Sequence, residues 1–207
     1  QLSAAVKSYG QALAIKPDYA EAYYDLGNTL KELGQLEKAV NSYEQALTIK
    51  ADNADTYYNL GNTLNELGQL DAAVVNYQKA LAIKPDYAEV YNNLGVMLKD
   101  LGQPEEASKS YKRALAIKPD YAEVYNNLGV MLKDLGQLEE AVKNYEKALV
   151  IKPDYAEAYY NLGNTYKNLG QLDAAVKRYE QVLVIKPDYT KAWNNVFFAA
   201  KGLSLYT

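Results

Sequence analysis

The stretch ALAIKPDYAEVYNNLGVMLKDLGQ occupies residues 80–103 and recurs without a change as residues 114–137. Such a copy, displaced by 34 residues, makes the chain a duplicated unit rather than one irregular domain. Working outward, the unit restarts at Ala20, Ala54, Ala88, Ala122 and Ala156. Ten of the twelve glycines fall at two phases, Gly27/61/95/129/163 and Gly34/68/102/136/170. Five of the six prolines share a third phase, at Pro17, Pro85, Pro119, Pro153 and Pro187, where Ala51 is the lone substitute. Residues 20–53, 54–87, 88–121, 122–155 and 156–189 are thus five full repeats. Residues 1–19 are the second half of an earlier unit, and residues 190–207 the first half of a later, divergent one.

Each unit reads as two helices. Asp86 and Glu89 are expected to open the first, the aspartate capping an early amide and both carboxylates meeting the positive helix end. Tyr91, Leu94, Leu98 and Leu101 then follow helical spacing. Gly102 supplies a left-handed C-cap. Ala107, Tyr111, Ala114, Leu115 and Ile117 line the second helix, which closes near Lys118 ahead of Pro119. Pro104 fits the first turn of that helix. The expected class is all-α.

Composition narrows the function. The chain carries 22 Lys plus Arg against 26 Asp plus Glu, so it lacks the basic surplus of a nucleic-acid binder. It has no cysteine and no histidine. That removes thiolate nucleophiles, imidazole bases and the usual zinc ligands, and no catalytic, cofactor or metal site is expected. No run of about 18 apolar residues is present for a membrane span, and no charged-then-apolar signal segment opens the chain. The compartment stays open, with the cytoplasm favoured.

Tyr159-x2-Leu162-Gly163-x2-Tyr166, then Ala175-x3-Tyr179, then Pro187 resembles the tetratricopeptide-repeat (TPR) signature of a 34-residue unit. The other four full units fit with tyrosine at the opening aromatic. The resemblance implies a right-handed α-solenoid of helix-turn-helix repeats, with first helices lining a concave groove. It also implies that Gly163, Ala175 and Ala148 let helix backbones approach, while Tyr159, Leu162 and Tyr179 fill the space between. A protein-interaction scaffold is the function implied, not an enzyme.

Members of this family bind through first-helix residues, and here that stripe is Asp25, Asn59, Asn93, Asn127, Asn161 and Asn195. It resembles the asparagine ladder of the O-GlcNAc transferase superhelix, which holds an extended peptide by its backbone. A carboxamide suits that task, having both donor and acceptor; the competing reading is that asparagine is simply common at this phase. Beside the ladder, Tyr24, Tyr58 and Tyr160 give way to Asn92 and Asn126 in the middle repeats. Asn28, Asn62 and Asn164 likewise give way to Val96 and Val130. The valines suggest a pocket for an apolar side chain, unless they merely record the duplication. Glu21, Asp55, Glu89, Glu123 and Glu157 precede the ladder by a turn, so a neutral-to-basic peptide is the expected partner; the competing reading is that these carboxylates serve only as partners in helix capping. Glu32, Glu66, Asp100 and Asp134 alternate with Lys31, Lys99, Lys133 and Lys167, the pattern of a solvated surface. Chaperone-binding members grip a carboxylate with Lys and Arg on this face; Tyr, Asn and Glu stand here instead, which argues against such a clamp.

At the tail, Lys191 replaces the acid, Phe197 takes the packing-glycine phase and Phe198 follows. The regular array is expected to stop there. The apolar faces of residues 1–19 and 190–207 suggest head-to-tail self-association. The alternatives to a peptide scaffold are a docking segment of a larger enzyme, of glycosyltransferase or sulfotransferase type, and a self-assembly module.

Overall fold

The computed structural model describes the backbone of residues 1–203 and the side chains of residues 1–198. Twelve helices and no strand occupy the described residues. They are α1 (Leu2–Ile15), α2 (Ala20–Glu32), α3 (Leu36–Ile49), α4 (Ala54–Glu66), α5 (Leu70–Ile83), α6 (Ala88–Asp100), α7 (Pro104–Ile117), α8 (Ala122–Asp134), α9 (Leu138–Ile151), α10 (Ala156–Asn168), α11 (Leu172–Ile185) and α12 (Thr190–Leu203). The chain divides into two compact units, residues 1–117 with α1–α7 and residues 118–207 with α8–α12. Within each unit every helix packs on the next, and α2 also meets α4, as α8 meets α10. That is the arrangement of an all-α solenoid, in which a hairpin buries its apolar stripe only against its neighbours.

The first helices do not start as the Asp-x-x-Glu box suggests. α2, α6, α8 and α10 have Tyr19, Tyr87, Tyr121 and Tyr155 at the N-cap, and none makes a side-chain cap bond. Pro85 and Asp86 instead form the turn before the helix, which puts the aspartate one residue too early to reach the amide. Glu89 does lie in the first turn, where its charge suits the helix dipole. The full repeat that opens with α4 differs: Asn53, standing where the other units have tyrosine, accepts from the Thr56 amide at 3.0 Å. Such a cap contributes about 1 kcal/mol. The tyrosines have another use, since Lys84 places its ammonium 4.2 Å from the Tyr87 ring centre and Lys152 lies 4.9 Å from that of Tyr155.

Gly102 closes α6 as expected. Its φ of +72° lies in the left-handed region, and the Gln103 amide reaches back to the Leu98 carbonyl at 2.8 Å. Pro104 is the first residue of α7. The hairpin is held by one tyrosine per repeat: Tyr43, Tyr77, Tyr111, Tyr145 and Tyr179 are all fully buried. Each ring lies against the packing glycine of its own first helix. A Cβ built on Gly129 would stand 2.7 Å from Cε1 of Tyr145, well inside contact distance.

At the ends the core thins. α1 buries no residue, and Trp193, Phe197 and Phe198 are each more than half exposed. The head-to-tail expectation rests on these surfaces.

Candidate functional site

The first-helix residues are best followed one unit at a time. In residues 1–117, the Tyr43 hydroxyl donates to Asn28 Oδ1 at 2.8 Å. The same oxygen accepts from Asn59 Nδ2 at 3.2 Å, and Asn59 also donates to the Tyr24 hydroxyl at 3.0 Å. One repeat on, Tyr77 donates to Asn62 Oδ1 at 2.8 Å, while Asn93 Nδ2 reaches Asn62 Oδ1 at 2.9 Å and the Tyr58 hydroxyl at 3.3 Å. The ladder amides therefore spend their N–H groups on the preceding repeat.

Residues from 118 on repeat the scheme with one change. Tyr179 donates to Asn164 Oδ1 at 2.9 Å, and Asn195 Nδ2 reaches Asn164 Oδ1 at 3.2 Å and the Tyr160 hydroxyl at 3.4 Å. Asn161, however, finds valine where Asn28 or Asn62 would be. It donates to Asn126 Oδ1 instead, at 3.1 Å. Asparagine at 126 thus accepts in place of the tyrosine hydroxyl of the other repeats, while Val130 offers no second acceptor.

This geometry places every residue singled out from the sequence. Asn59, Asn93, Asn127, Asn161 and Asn195 are half-buried at one phase of the first helices. Among the described residues no donor reaches Asn59 Oδ1 or Asn161 Oδ1, which leaves those oxygens as unspent acceptors, whereas Asn93 Oδ1 accepts from Asn92 Nδ2 at 3.3 Å. Tyr24, Tyr58 and Tyr160 are half-buried and tilt against the core tyrosines, with ring centres 6.2, 6.2 and 5.9 Å from Tyr43, Tyr77 and Tyr179. Val96 and Val130 are half-buried, and Val130 packs on the cluster holding Tyr145. Asn92 and Asn126 are only 8% and 1% exposed. So deep a position leaves them little surface to offer a ligand.

The acidic residues are partly engaged. Glu66 pairs with Lys31 at 3.1 Å, Asp100 with Lys99 at 2.9 Å and Asp134 with Lys133 at 3.4 Å. These exposed pairs contribute little to stability. Asp55 accepts from the Tyr87 hydroxyl at 2.9 Å, and burial, with that carboxylate second, pushes the Tyr87 phenol above its ordinary value. Glu123 meets Lys152 at 3.4 Å. Among the described residues no group of acidic side chains is arranged to hold a metal ion, and no helix is long and apolar enough to cross a membrane.

Two features escaped the sequence reading. One is the tyrosine–asparagine bond inside three of the five hairpins, whose partners lie 15 residues apart across a turn. Its only signal was the joint replacement of the tyrosine and asparagine phases in the middle repeats. The other is an opening of about 590 Å³ lined by Tyr125, Lys143, Lys147, Val150 and Ile151, with Val150 largely exposed. No periodic motif marks it.

Models of the TPR repeat match residues 1–34, 27–67, 61–102, 97–136 and 130–170, and the tetratricopeptide-repeat model matches residues 156–189. No curated protein sequence matches this chain. Among solved structures, YrrB, described as a TPR protein with an unusual peptide-binding site, is 26% identical with a TM-score of 0.71; the alignment covers 91% of this chain and 97% of YrrB. MamA is 28% identical with a TM-score of 0.72, over 83% of this chain and 94% of its own. A thermophilic TPR protein of Thermus thermophilus is 25% identical with a TM-score of 0.68, over 88% of this chain and 99% of its own. With repeat models matching nearly end to end, the chain belongs to the tetratricopeptide-repeat family, whose members serve as scaffolds for protein–protein interaction.

Proposed function

We propose that the ladder amides of each unit hold an extended, neutral-to-basic polypeptide segment by its backbone. The observation that carries this reading is the fixed direction of the amides. Asn59 and Asn161 have their N–H groups tied to the preceding repeat and their carbonyl oxygens left over. Such a row accepts hydrogen bonds, and a polypeptide in extended conformation offers N–H groups to it. The reading therefore differs from a simple donor-and-acceptor ladder: the ligand must donate. An excess of acidic groups, with formal net charge −4, favours a ligand that is neutral or basic. Similarity to YrrB, described as having a peptide-binding site, supports it, as does the resemblance of the row to the O-GlcNAc transferase ladder.

Each rung contributes roughly 0.5–1.5 kcal/mol net, while micromolar affinity needs about 8 kcal/mol. A few rungs give weak binding with little sequence preference. Selectivity falls to Val96 and Val130, which offer apolar contact at the face. The test changes Asn93 and Asn127, one in each unit, to alanine and titrates a neutral-to-basic library of unstructured peptides. Affinity is expected to fall several-fold for nearly every binder, whereas Val96→Asp changes which peptides are chosen. Full affinity in the double alanine variant sinks the ladder.

A further inference from the structure

Three of the five hairpin tyrosines donate their hydroxyl to an asparagine, at Asn28, Asn62 and Asn164. In the two middle repeats that asparagine is Val96 or Val130, and the hydroxyls of Tyr111 and Tyr145 are buried with no hydrogen-bond partner among the described residues. Thr165 lies near enough to Tyr145 to act on its phenol, but the two hydroxyls do not meet in hydrogen-bond geometry, and that of Thr165 donates to the Asn161 backbone carbonyl at 2.8 Å. The rings themselves have not moved. A Cβ on Gly95 or Gly129 would lie 2.6 or 2.7 Å from the ring, against 2.6 Å at Gly27, Gly61 and Gly163. The hydroxyls therefore end where those of Tyr43 and Tyr77 do, just beneath the ladder. An unpaired buried donor is costly enough that native structures hold few of them. Two at matching positions, each created by the same replacement, call for a purpose.

We propose that Tyr111 and Tyr145 hold their hydroxyls as donors for a carbonyl oxygen of the bound polypeptide. This rests on the peptide reading above and completes it. The ladder carbonyls take the N–H groups of the ligand, and the two phenols take its C=O groups. Each hydroxyl is sealed beneath the face, so the carbonyl reaches it as the half-buried Val96 or Val130 side chain turns aside and packs on the ligand. A neutral carbonyl fits better than a carboxylate, because Asp100 lies near enough to Tyr111, and Asp134 and Glu157 to Tyr145, to act on their phenols. Burial above all, with those charges adding to it and Thr165 opposing it at Tyr145, holds both phenols protonated well above the ordinary tyrosine range.

The experiment compares Tyr111→Phe, Tyr145→Phe and the control Tyr43→Phe, each titrated with the unstructured peptides that the parent selects from the neutral-to-basic library. Tyr111→Phe and Tyr145→Phe are expected to weaken binding by about threefold to tenfold each. Both should leave the denaturation midpoint unchanged or raised, since the lost hydroxyl had no partner. Tyr43→Phe should do the reverse, lowering the midpoint and sparing affinity. Val130→Asn, which supplies an internal acceptor, should raise the midpoint and weaken binding as Tyr145→Phe does. Peptide affinities unchanged in both middle-repeat variants overturn the donor role while leaving the ladder standing, and assign the hydroxyls to a bound water. A parent that selects no peptide overturns the peptide reading and this one with it.

Discussion

Gly129→Leu is expected to lower the free energy of unfolding by about 3 kcal/mol, the upper end of the usual cost of overpacking. Its first added carbon alone would stand 2.7 Å from the Tyr145 ring. That ring is fully buried and cannot swing into solvent, so α8 and α9 must separate to admit the side chain. Leucine is the better helix former by roughly 1 kcal/mol, which offsets only part of the loss. Lys143→Ala on the exposed side of α9, where the lysine pairs with Glu140 at 2.7 Å, serves as control and should change little. Urea denaturation of the two variants checks this. A leucine variant as stable as the parent contradicts the packing described here.

Asn62→Val should cost about 2 kcal/mol, for a different reason. Asn62 Oδ1 accepts from both Tyr77 and Asn93, so valine strands a buried phenol and removes one of two bonds to the ladder. The same exchange is present at Val96 and Val130, but there asparagine has also replaced the neighbouring tyrosine. Tyr58 already accepts from Asn93 at 3.3 Å, so adding Tyr58→Asn exchanges one acceptor for another, as Asn126 does for Asn161, and should leave most of the loss in place. A single variant of parental stability, in the same denaturation assay, means that the inter-repeat bonds carry no weight.

Most of the fold was legible because packing phases repeat. Gly129 and Tyr145 are 16 residues apart yet occur as the same pair in all five repeats, so steric necessity is written into spacing. Where a helix begins is set by one or two backbone angles, and there the pattern misled. Asp86 and Glu89 have the spacing of a box, but the turn at Pro85 and Asp86 moves the start to Ala88. That Asn59, Asn93, Asn127, Asn161 and Asn195 share one phase of the first helices was legible for the same reason as the core. Amide direction was not, since it depends on Tyr24 and Asn28, 35 and 31 residues before Asn59. Nor was the burial of Asn126, 1% exposed, which a polar residue next to the ladder does not announce. Local pattern shows which residues share a face. It does not show which of their atoms remain unspent.

The most direct test of the ladder is to follow asparagine carboxamide resonances while the protein is saturated with a selected peptide. Asn59 and Asn161, whose carbonyls are unspent, should shift, because a hydrogen bond accepted at the carbonyl perturbs the attached NH2 group, and Asn93, whose carbonyl already accepts from Asn92 at 3.3 Å, should shift less. Asn41, Asn76 and Asn144, on the second helices α3, α5 and α9, should stay where they are. Shifts confined to the second-helix asparagines, with Asn59, Asn93 and Asn161 unmoved at saturation, would place the ligand elsewhere and contradict the account.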